Sequence, residues 1–82
     1  MKYEEVVSLI ELVLNRVLAQ KGLPSAKVNG STHLLDGDLG IDSLDLAVMV
    51  TELEQETKKD PFRDGFKSFT DVDQLARLYV DE

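Results

Sequence analysis

The amino-acid sequence predicts an all-α fold: a four-helix bundle of three main helices and one short helix, with a long ordered loop between helices 1 and 2. Three observations predict it. Apolar residues recur at helical spacing in three segments, no segment alternates apolar and polar residues, and glycine or proline residues separate the periodic segments. Because 82 residues suffice for one domain, we assign residues 1–82 to a single domain.

The first helix is predicted over residues 3–20. Its apolar residues recur at helical intervals, and further leucines widen the apolar side. Gly22 and Pro24 end the helix, because glycine favours the conformation that follows a helix and proline cannot continue one. The apolar positions are Val6, Leu9, Ile10, Val13, Leu14, Val17 and Leu18.

Residues 23–41 show no sustained periodicity and contain the turn dipeptides Asn29–Gly30 and Asp36–Gly37. A connection of this length is unusual in so small a domain. We therefore expect apolar side chains to hold it against the core. The candidates are Leu23, Val28, Leu34, Leu35, Leu39 and Ile41.

The second main helix is predicted over residues 43–57. Asp42 is its predicted N-cap, because a carboxylate at that position accepts a hydrogen bond from the first turn. The apolar side of this helix consists of Leu46, Val50 and Leu53, with Ala47 and Met49 beside them.

Two further helical segments follow. Asp60–Pro61–Phe62 predicts a short helix, with Asp60 as its cap, Pro61 at the first helical position and Gly65 at its end. The last helix is predicted to begin near Thr70, because residues 70–73 form a near capping box. Its apolar residues are Val72, Leu75, Ala76, Leu78 and Tyr79.

Charge and composition limit the possible functions. The net charge of −7 argues against nucleic acid as a partner, because its phosphates would repel the surface. Residues 36–56 contain seven acidic residues and no Lys or Arg, which predicts partners with basic docking patches. Cysteine is absent, no apolar run reaches membrane-spanning length, and the first residues lack the basic start of a signal peptide. We expect a cytoplasmic monomer that does not insert into membranes.

Ser43 is the candidate functional residue. It stands at the predicted start of the acidic helix, where unpaired backbone N–H groups favour a phosphate-linked group. A serine hydrolase is not predicted, because the only histidine is His33 in the long loop and residues 40–44 do not match G-x-S-x-G. No metal site is predicted, because Gly40 and Ala47 occupy positions where an EF-hand needs ligands.

Residues 38–45, with the sequence DLGIDSLD, match D-x-G-x-D-S-L-D, the attachment motif of acyl carrier proteins. Residues 53–56 (LEQE) resemble the L-E-E-E that ends the second helix of that family, and residues 69–72 (FTDV) resemble the I-T-T-V that opens its last helix. These three landmarks occur in register. The chain therefore resembles a free-standing acyl carrier protein over essentially its full length.

The resemblance implies that Ser43 is esterified by 4′-phosphopantetheine, donated by coenzyme A through a phosphopantetheinyl transferase. The terminal thiol of the arm would carry acyl intermediates as thioesters, so the resemblance implies a carrier and not an enzyme. It also implies an acyl- or aminoacyl-loading ligase and pathway synthases or transferases as partners. The implied recognition residues are Asp38, Asp42, Leu44, Asp45, Val48, Glu52 and Glu54.

Two residues depart from the pattern of housekeeping fatty-acid carriers. Val48 and Thr51 stand where those carriers usually have Glu and Met. These departures favour a carrier dedicated to a specialised pathway, with lipid, polyketide and polysaccharide-acylation pathways all open. Two alternatives also remain open: an aminoacyl or peptidyl carrier served by a stand-alone ligase, and an unmodified helical module that binds partners through its acidic face.

Overall fold

The computed structural model describes residues 1–35, 39–63, 65 and 68–80, and this part of the chain is mainly helical. It contains three α-helices: α1 (Tyr3–Gln20), α2 (Ser43–Thr57) and α3 (Val72–Arg77). The bounds of α1 and α2 agree with those predicted from the sequence. Among the described residues, no helix combines the length and the apolar character needed to cross a membrane.

The first helix is the central element of the fold. Both α2 and α3 pack against α1, whereas no backbone contact joins α2 to α3 in the described part of the chain. Six residues of α1 are buried, and each fully buried aliphatic side chain contributes on the order of 1.5–3 kcal/mol to folding. They are Val6, Ile10, Val13, Leu14, Val17 and Leu18.

The second and third helices each contribute three buried side chains to the core. The sequence-based assignment of Ala47 to the core side of α2 was wrong, because Ala47 is exposed and Val50 is only partly buried. Met49 is fully buried, and a residue two positions earlier on an α-helix points in nearly the opposite direction, so Ala47 faces away from the core. The buried residues are Leu46, Met49 and Leu53 on α2, and Val72, Leu75 and Ala76 on α3.

The start of α3 differs from the prediction. The N-cap is Asp71, whose carboxylate accepts a hydrogen bond of 2.8 Å from the backbone N–H of Gln74. The Gln74 side chain in turn accepts a bond of 2.7 Å from the backbone N–H of Thr70. The capping interactions are therefore shifted by one residue, because Asp71 caps more effectively here than the predicted Thr70.

The predicted short helix corresponds to a hydrogen-bonded turn in the described residues. The backbone N–H of Arg63 donates to the carbonyl of Asp60 at 3.2 Å, and that of Gly65 donates to Phe62 at 3.1 Å. These are bonds between residues three apart, as in a single helical turn. Pro61 stands at the first position of this turn, as the sequence predicts.

Side chains of α1 hold the first half of the connection between α1 and α2. The amide of Asn15 donates to the carbonyl of Ala26 at 3.0 Å and accepts from the N–H of Ala26 at 2.7 Å. One turn earlier, the carboxylate of Glu11 accepts from the N–H of Val28 at 2.8 Å. These side chains supply hydrogen-bond partners for backbone N–H and C=O groups, which in an irregular segment have no helix or sheet partners.

The second half of this connection lies beside the segment that leads into α3. The N–H of Leu34 donates to the carbonyl of Thr70, and the N–H of Val72 donates to that of Thr32, both at 3.0 Å. His33 and Asp71 form an isolated antiparallel bridge, and no longer strand occurs in the described ranges. Of the apolar residues expected to anchor the connection, Leu34 and Ile41 are buried, Leu23, Val28 and Leu39 are partly buried, and Leu35 is exposed.

Replacing Asn15 tests the anchoring of this connection. We expect Asn15→Ala to lower the free energy of unfolding by about 1–3 kcal/mol, because it leaves the partly buried N–H and carbonyl of Ala26 without their partner. Urea unfolding followed by circular dichroism measures the change. Ser8→Ala is the matched control, because Ser8 is exposed on the same helix and its loss should change stability by less than about 0.5 kcal/mol. Equal stabilities of the two variants would contradict the anchoring role.

Tyr79 provides a second test of the core. Its side chain is fully buried, and its hydroxyl has no hydrogen-bond partner in the described structure. Burial raises the pKa of Tyr79 to about 12. Because the unfolded chain releases this proton near pH 10, stability should fall as the pH rises from about 10 to about 12.

We expect Tyr79→Phe to match or exceed the parent in stability at pH 7, because it removes an unpaired buried hydroxyl and keeps the ring. Its loss of stability above pH 10 should also be smaller than that of the parent chain. Urea unfolding at several pH values compares the two proteins. A variant that is less stable by more than about 1 kcal/mol would indicate a partner for the hydroxyl.

Candidate functional site

The start of α2 is defined by reciprocal hydrogen bonds between two aspartates. The carboxylate of Asp42, the N-cap, accepts from the backbone N–H of Asp45 at 3.0 Å. The carboxylate of Asp45 accepts from the backbone N–H of Asp42, also at 3.0 Å. This is a capping box with Asp in place of the usual Glu or Gln. It fixes the conformation of the two residues between them, Ser43 and Leu44.

A cation from the end of α1 completes this arrangement. The ammonium of Lys21 lies 2.7 Å from Oδ2 of Asp45. The hydrogen bond from Lys21 holds the pKa of Asp45 below its ordinary value, with a further contribution from the backbone N–H of Asp42. The same contact raises the pKa of Lys21. Lys21 therefore connects the end of α1 to the start of α2.

The chain reaches this point through Gly40. Its φ of +83° lies in the left-handed region, which residues other than glycine adopt only at an energetic cost. A Cβ atom at this position would also lie 2.9 Å from Cδ1 of Leu23. The positive φ explains why a glycine stands directly before Ile41, whose burial anchors the entry to α2.

Ser43 is the first residue of α2 and is exposed. The hydrogen bonds that cap the helix run between Asp42 and Asp45 and leave its hydroxyl unused. An exposed hydroxyl at the first helical position, held by a rigid cap, can be reached by an external enzyme.

An apolar cleft of about 340 Å³ begins beside Ser43. We call it the α2 cleft. Its walls come from α2, from Leu35 in the connection between α1 and α2, from the turn after α2 and from the segment that leads into α3. The rings of Phe62 and Phe69 contact each other there, with centroids 6.0 Å apart. The lining residues besides Ser43 are Leu35, Leu46, Ala47, Val50, Phe62 and Phe69.

The predicted recognition residues differ in their exposure and in their contacts. Leu44 and Val48 project from α2 with 76% and 46% of their surface exposed, and Glu54 is exposed on the same helix. Asp45 and Glu52 instead contact cations of α1, since Arg16 lies 3.1 Å from Glu52. Asp42 is exposed but serves as the N-cap. Asp38 lies outside the described residues.

Several residues at this site were not predicted from the sequence. The ion pairs of Lys21 and Arg16 were not predicted, because helical periodicity does not show which helix a long cation contacts. Phe62 and Phe69 lie on segments without periodicity, so nothing in the sequence placed them beside Ser43. An acidic run on α2 together with cations late in α1 is the signal that could have suggested the ion pairs.

The contact between Lys21 and Asp45 is testable by titration. In Lys21→Met we expect the pKa of Asp45 to rise toward its ordinary value, because the main cause of its lowering is removed. A carboxylate with a lowered pKa stabilises the fold above its ordinary pKa, and this contribution is lost as the pH falls through the lowered value. The variant should therefore be less stable than the parent near neutral pH, and this difference should disappear as the pH falls below the lowered pKa of Asp45.

Carbon-detected NMR of the aspartate carboxyl groups measures this shift. Lys27→Met is the matched control, because Lys27 is an exposed lysine of the first connection and should leave the titration of Asp45 unchanged. An unchanged pKa of Asp45 in Lys21→Met would show that the contact is absent in solution.

Comparisons with known proteins agree with this geometry. The sequence profile of the family described as phosphopantetheine attachment site matches residues 5–79. Among solved structures, the chain is similar to the solution structure of MacpD, an acyl carrier protein from Pseudomonas fluorescens involved in mupirocin biosynthesis. The TM-score is 0.81 at 34% sequence identity, and the match covers 98% of this chain and 72% of the MacpD chain. The comparison with curated proteins gives no match.

The profile spans nearly the whole chain, and the similarity to MacpD extends to both sequence and fold. The helical fold and the motif at the start of α2 agree with both comparisons. Members of this family are carriers and not catalysts themselves. This chain therefore belongs to the acyl carrier proteins, which hold acyl intermediates on a 4′-phosphopantetheine arm.

Proposed function

We propose that Ser43 carries the 4′-phosphopantetheine arm and that the chain shuttles acyl intermediates between the enzymes of a specialised biosynthetic pathway. The observation that carries this proposal is the position of Ser43: an exposed hydroxyl at the first residue of α2, beside an apolar cleft. The involvement of MacpD in the biosynthesis of mupirocin supports a specialised pathway, as do Val48 and Thr51 on α2.

The residues around Ser43 fit a phosphate-linked group. The hydroxyl makes no capping bond, so attachment there leaves the Asp42–Asp45 box intact. Lys21 offsets the charge of Asp45, which reduces repulsion between that carboxylate and an attached phosphodiester. When bound, the arm supplies a terminal thiol that holds an acyl group as a thioester.

Attachment requires a separate enzyme, a phosphopantetheinyl transferase. In that reaction the hydroxyl oxygen of Ser43 forms a bond to the phosphorus next to the pantetheine of coenzyme A, and adenosine 3′,5′-bisphosphate leaves. The proton of the hydroxyl passes to a base of the transferase. This division of labour agrees with the surroundings of Ser43, where the described hydrogen bonds provide no base for it.

The α2 cleft suits an acyl chain better than a charged cargo. Its lining is apolar apart from the Ser43 side chain at its edge. Burial of hydrocarbon contributes about 0.8 kcal/mol for each CH₂ group removed from water. We propose that the cleft shields part of the acyl chain during transit, and that loading ligases and pathway synthases or transferases draw it out. The recognition residues proposed for these partners are Asp38, Asp42, Leu44, Asp45, Val48, Glu52 and Glu54.

We further propose that residues 1–82 form one carrier domain with a four-helix arrangement and a long ordered loop after α1. The turn at residues 60–65 supports a short helix between α2 and α3. The hydrogen bonds from Asn15 and Glu11 support order in the loop. A cytoplasmic location is proposed because a free thiol on the arm persists in a reducing compartment.

Intact mass spectrometry tests the attachment site. We expect the protein to gain one phosphopantetheine when incubated with coenzyme A and a broad-specificity phosphopantetheinyl transferase, and Ser43→Ala to gain none. Ser8→Ala is the matched control, because Ser8 is an exposed serine of α1 and its loss should leave the modification complete. Modification of Ser43→Ala, or none of the parent chain while another carrier is modified in parallel, would refute the proposal. Mass spectrometry of the protein from its own host would then identify the cargo.

A further inference from the structure

The side chain of Tyr79 carries a polar group inside the core that no described residue satisfies. Tyr79 follows α3 and is fully buried, and its hydroxyl has no hydrogen-bond partner among the described residues. Such a group destabilises a fold, because it has lost its hydrogen bonds to water without replacing them. The presence of this hydroxyl therefore has a reason other than stability, and a ligand that supplies its partner is one such reason.

The hydroxyl of Tyr79 lies near the last turns of α2 and the turn that follows that helix. Burial is the main cause that raises the pKa of Tyr79, and the charges of Asp60 and Glu54 raise it further, which places both carboxylates in its neighbourhood. Both acids are exposed, and neither accepts a hydrogen bond from the hydroxyl. The hydroxyl is therefore inside the protein at the level of Glu54, and its hydrogen-bonding capacity is unused by the described residues.

The α2 cleft runs along α2 in the direction of this hydroxyl. Its lining on that helix extends from Ser43 to Val50. Glu54 follows Val50 by four residues, so it lies on the same side of α2 and about 6 Å farther along the axis. The Tyr79 hydroxyl is therefore near the end of the cleft that is farther from Ser43.

The cleft and the Tyr79 ring are connected through apolar side chains. Leu46 and Phe69 line the cleft and belong to the same hydrophobic core as Tyr79. Val50 and Phe62 also line the cleft, and they pack against that core. An acyl chain that enters the cleft and separates these side chains is thereby led toward Tyr79.

We propose that this carrier favours acyl chains that bear a keto or hydroxyl oxygen away from the thioester, and that the Tyr79 hydroxyl forms a hydrogen bond with that oxygen. A plain hydrocarbon chain leaves the hydroxyl unpaired, whereas an oxygenated chain supplies its partner. A site with a buried polar group discriminates against ligands that leave this group unpaired. The inference rests on the proposed attachment at Ser43 and shielding in the α2 cleft, and it adds the chemical class of the cargo.

Four acyl groups of equal chain length test this proposal. One is octanoyl, and the other three carry a keto group near the thioester, midway along the chain or far from the thioester. A broad-specificity phosphopantetheinyl transferase loads each group onto Ser43 from its coenzyme A derivative. The rate of thioester cleavage by hydroxylamine then measures how well the protein shields the chain. Division by the rate for the same acyl group on free coenzyme A removes differences in intrinsic reactivity.

We expect the parent protein to protect at least one keto chain about fivefold better than octanoyl. In Tyr79→Phe this preference should reverse, because a keto oxygen that loses water without gaining a partner disfavours entry into the core. Tyr3→Phe is the matched control, because Tyr3 is the other tyrosine of the chain and its hydroxyl is already bonded to Asp73 at 2.6 Å. The keto preference should persist in that variant, and circular dichroism checks the fold of both variants.

Equal or better protection of octanoyl than of every keto chain in the parent would overturn the proposal, since a trapped water or no group at all would then serve the hydroxyl. A keto preference that survives in Tyr79→Phe would overturn it as well. Both results leave attachment at Ser43 intact. Failure of Ser43 to accept any of the four acyl groups contradicts the attachment proposal itself, and the inference about Tyr79 falls with it.

Discussion

The packing of α1 against the rest of the chain is the constraint on which the structure depends. Both other helices pack against α1, and in the described part of the chain the backbones of α2 and α3 do not approach each other closely, although their buried side chains share one core. The irregular connection after α1 is held by Asn15 and Glu11 of the same helix. Since α2 and α3 share α1 as their common support, space remains between α2 and the segments that lead to α3. The α2 cleft occupies that space and opens beside Ser43.

The start of α2 combines rigidity with access. Asp42 and Asp45 use their carboxylates to cap the helix, and Lys21 joins this cap to the end of α1. The backbone of Ser43 is thereby fixed while its side chain stays exposed. The hydroxyl therefore stands in a fixed position and can be reached from solvent.

The acidic residues of α2 can attract basic partners or pair with cations from α1, and the sequence does not distinguish these two possibilities. From the sequence, seven acids without an intervening cation suggest a surface that attracts basic partners. In the fold, Asp45, Glu52 and Glu56 contact Lys21 and Arg16, which approach from α1. The acids therefore help to orient α2 on α1. Exposed ion pairs contribute little to stability, typically about 0–1 kcal/mol each, so their main effect here is to neutralise part of the acidic charge of α2.

Local sequence patterns determined the bounds of α1 and α2, the N-cap at Asp42, most of the core and the choice of Ser43, because helical periodicity and capping act over a few residues. The same patterns misplaced the start of α3, because packing decides which of two neighbouring residues caps a helix. They also put Ala47 in the core, because packing decides how a helix is rotated about its axis. Tertiary structure alone brought Phe62 and Phe69 beside Ser43 and brought Lys21 and Arg16 to the acids of α2. These contacts join residues far apart in the chain, and their distances depend on how the helices pack and not on local sequence.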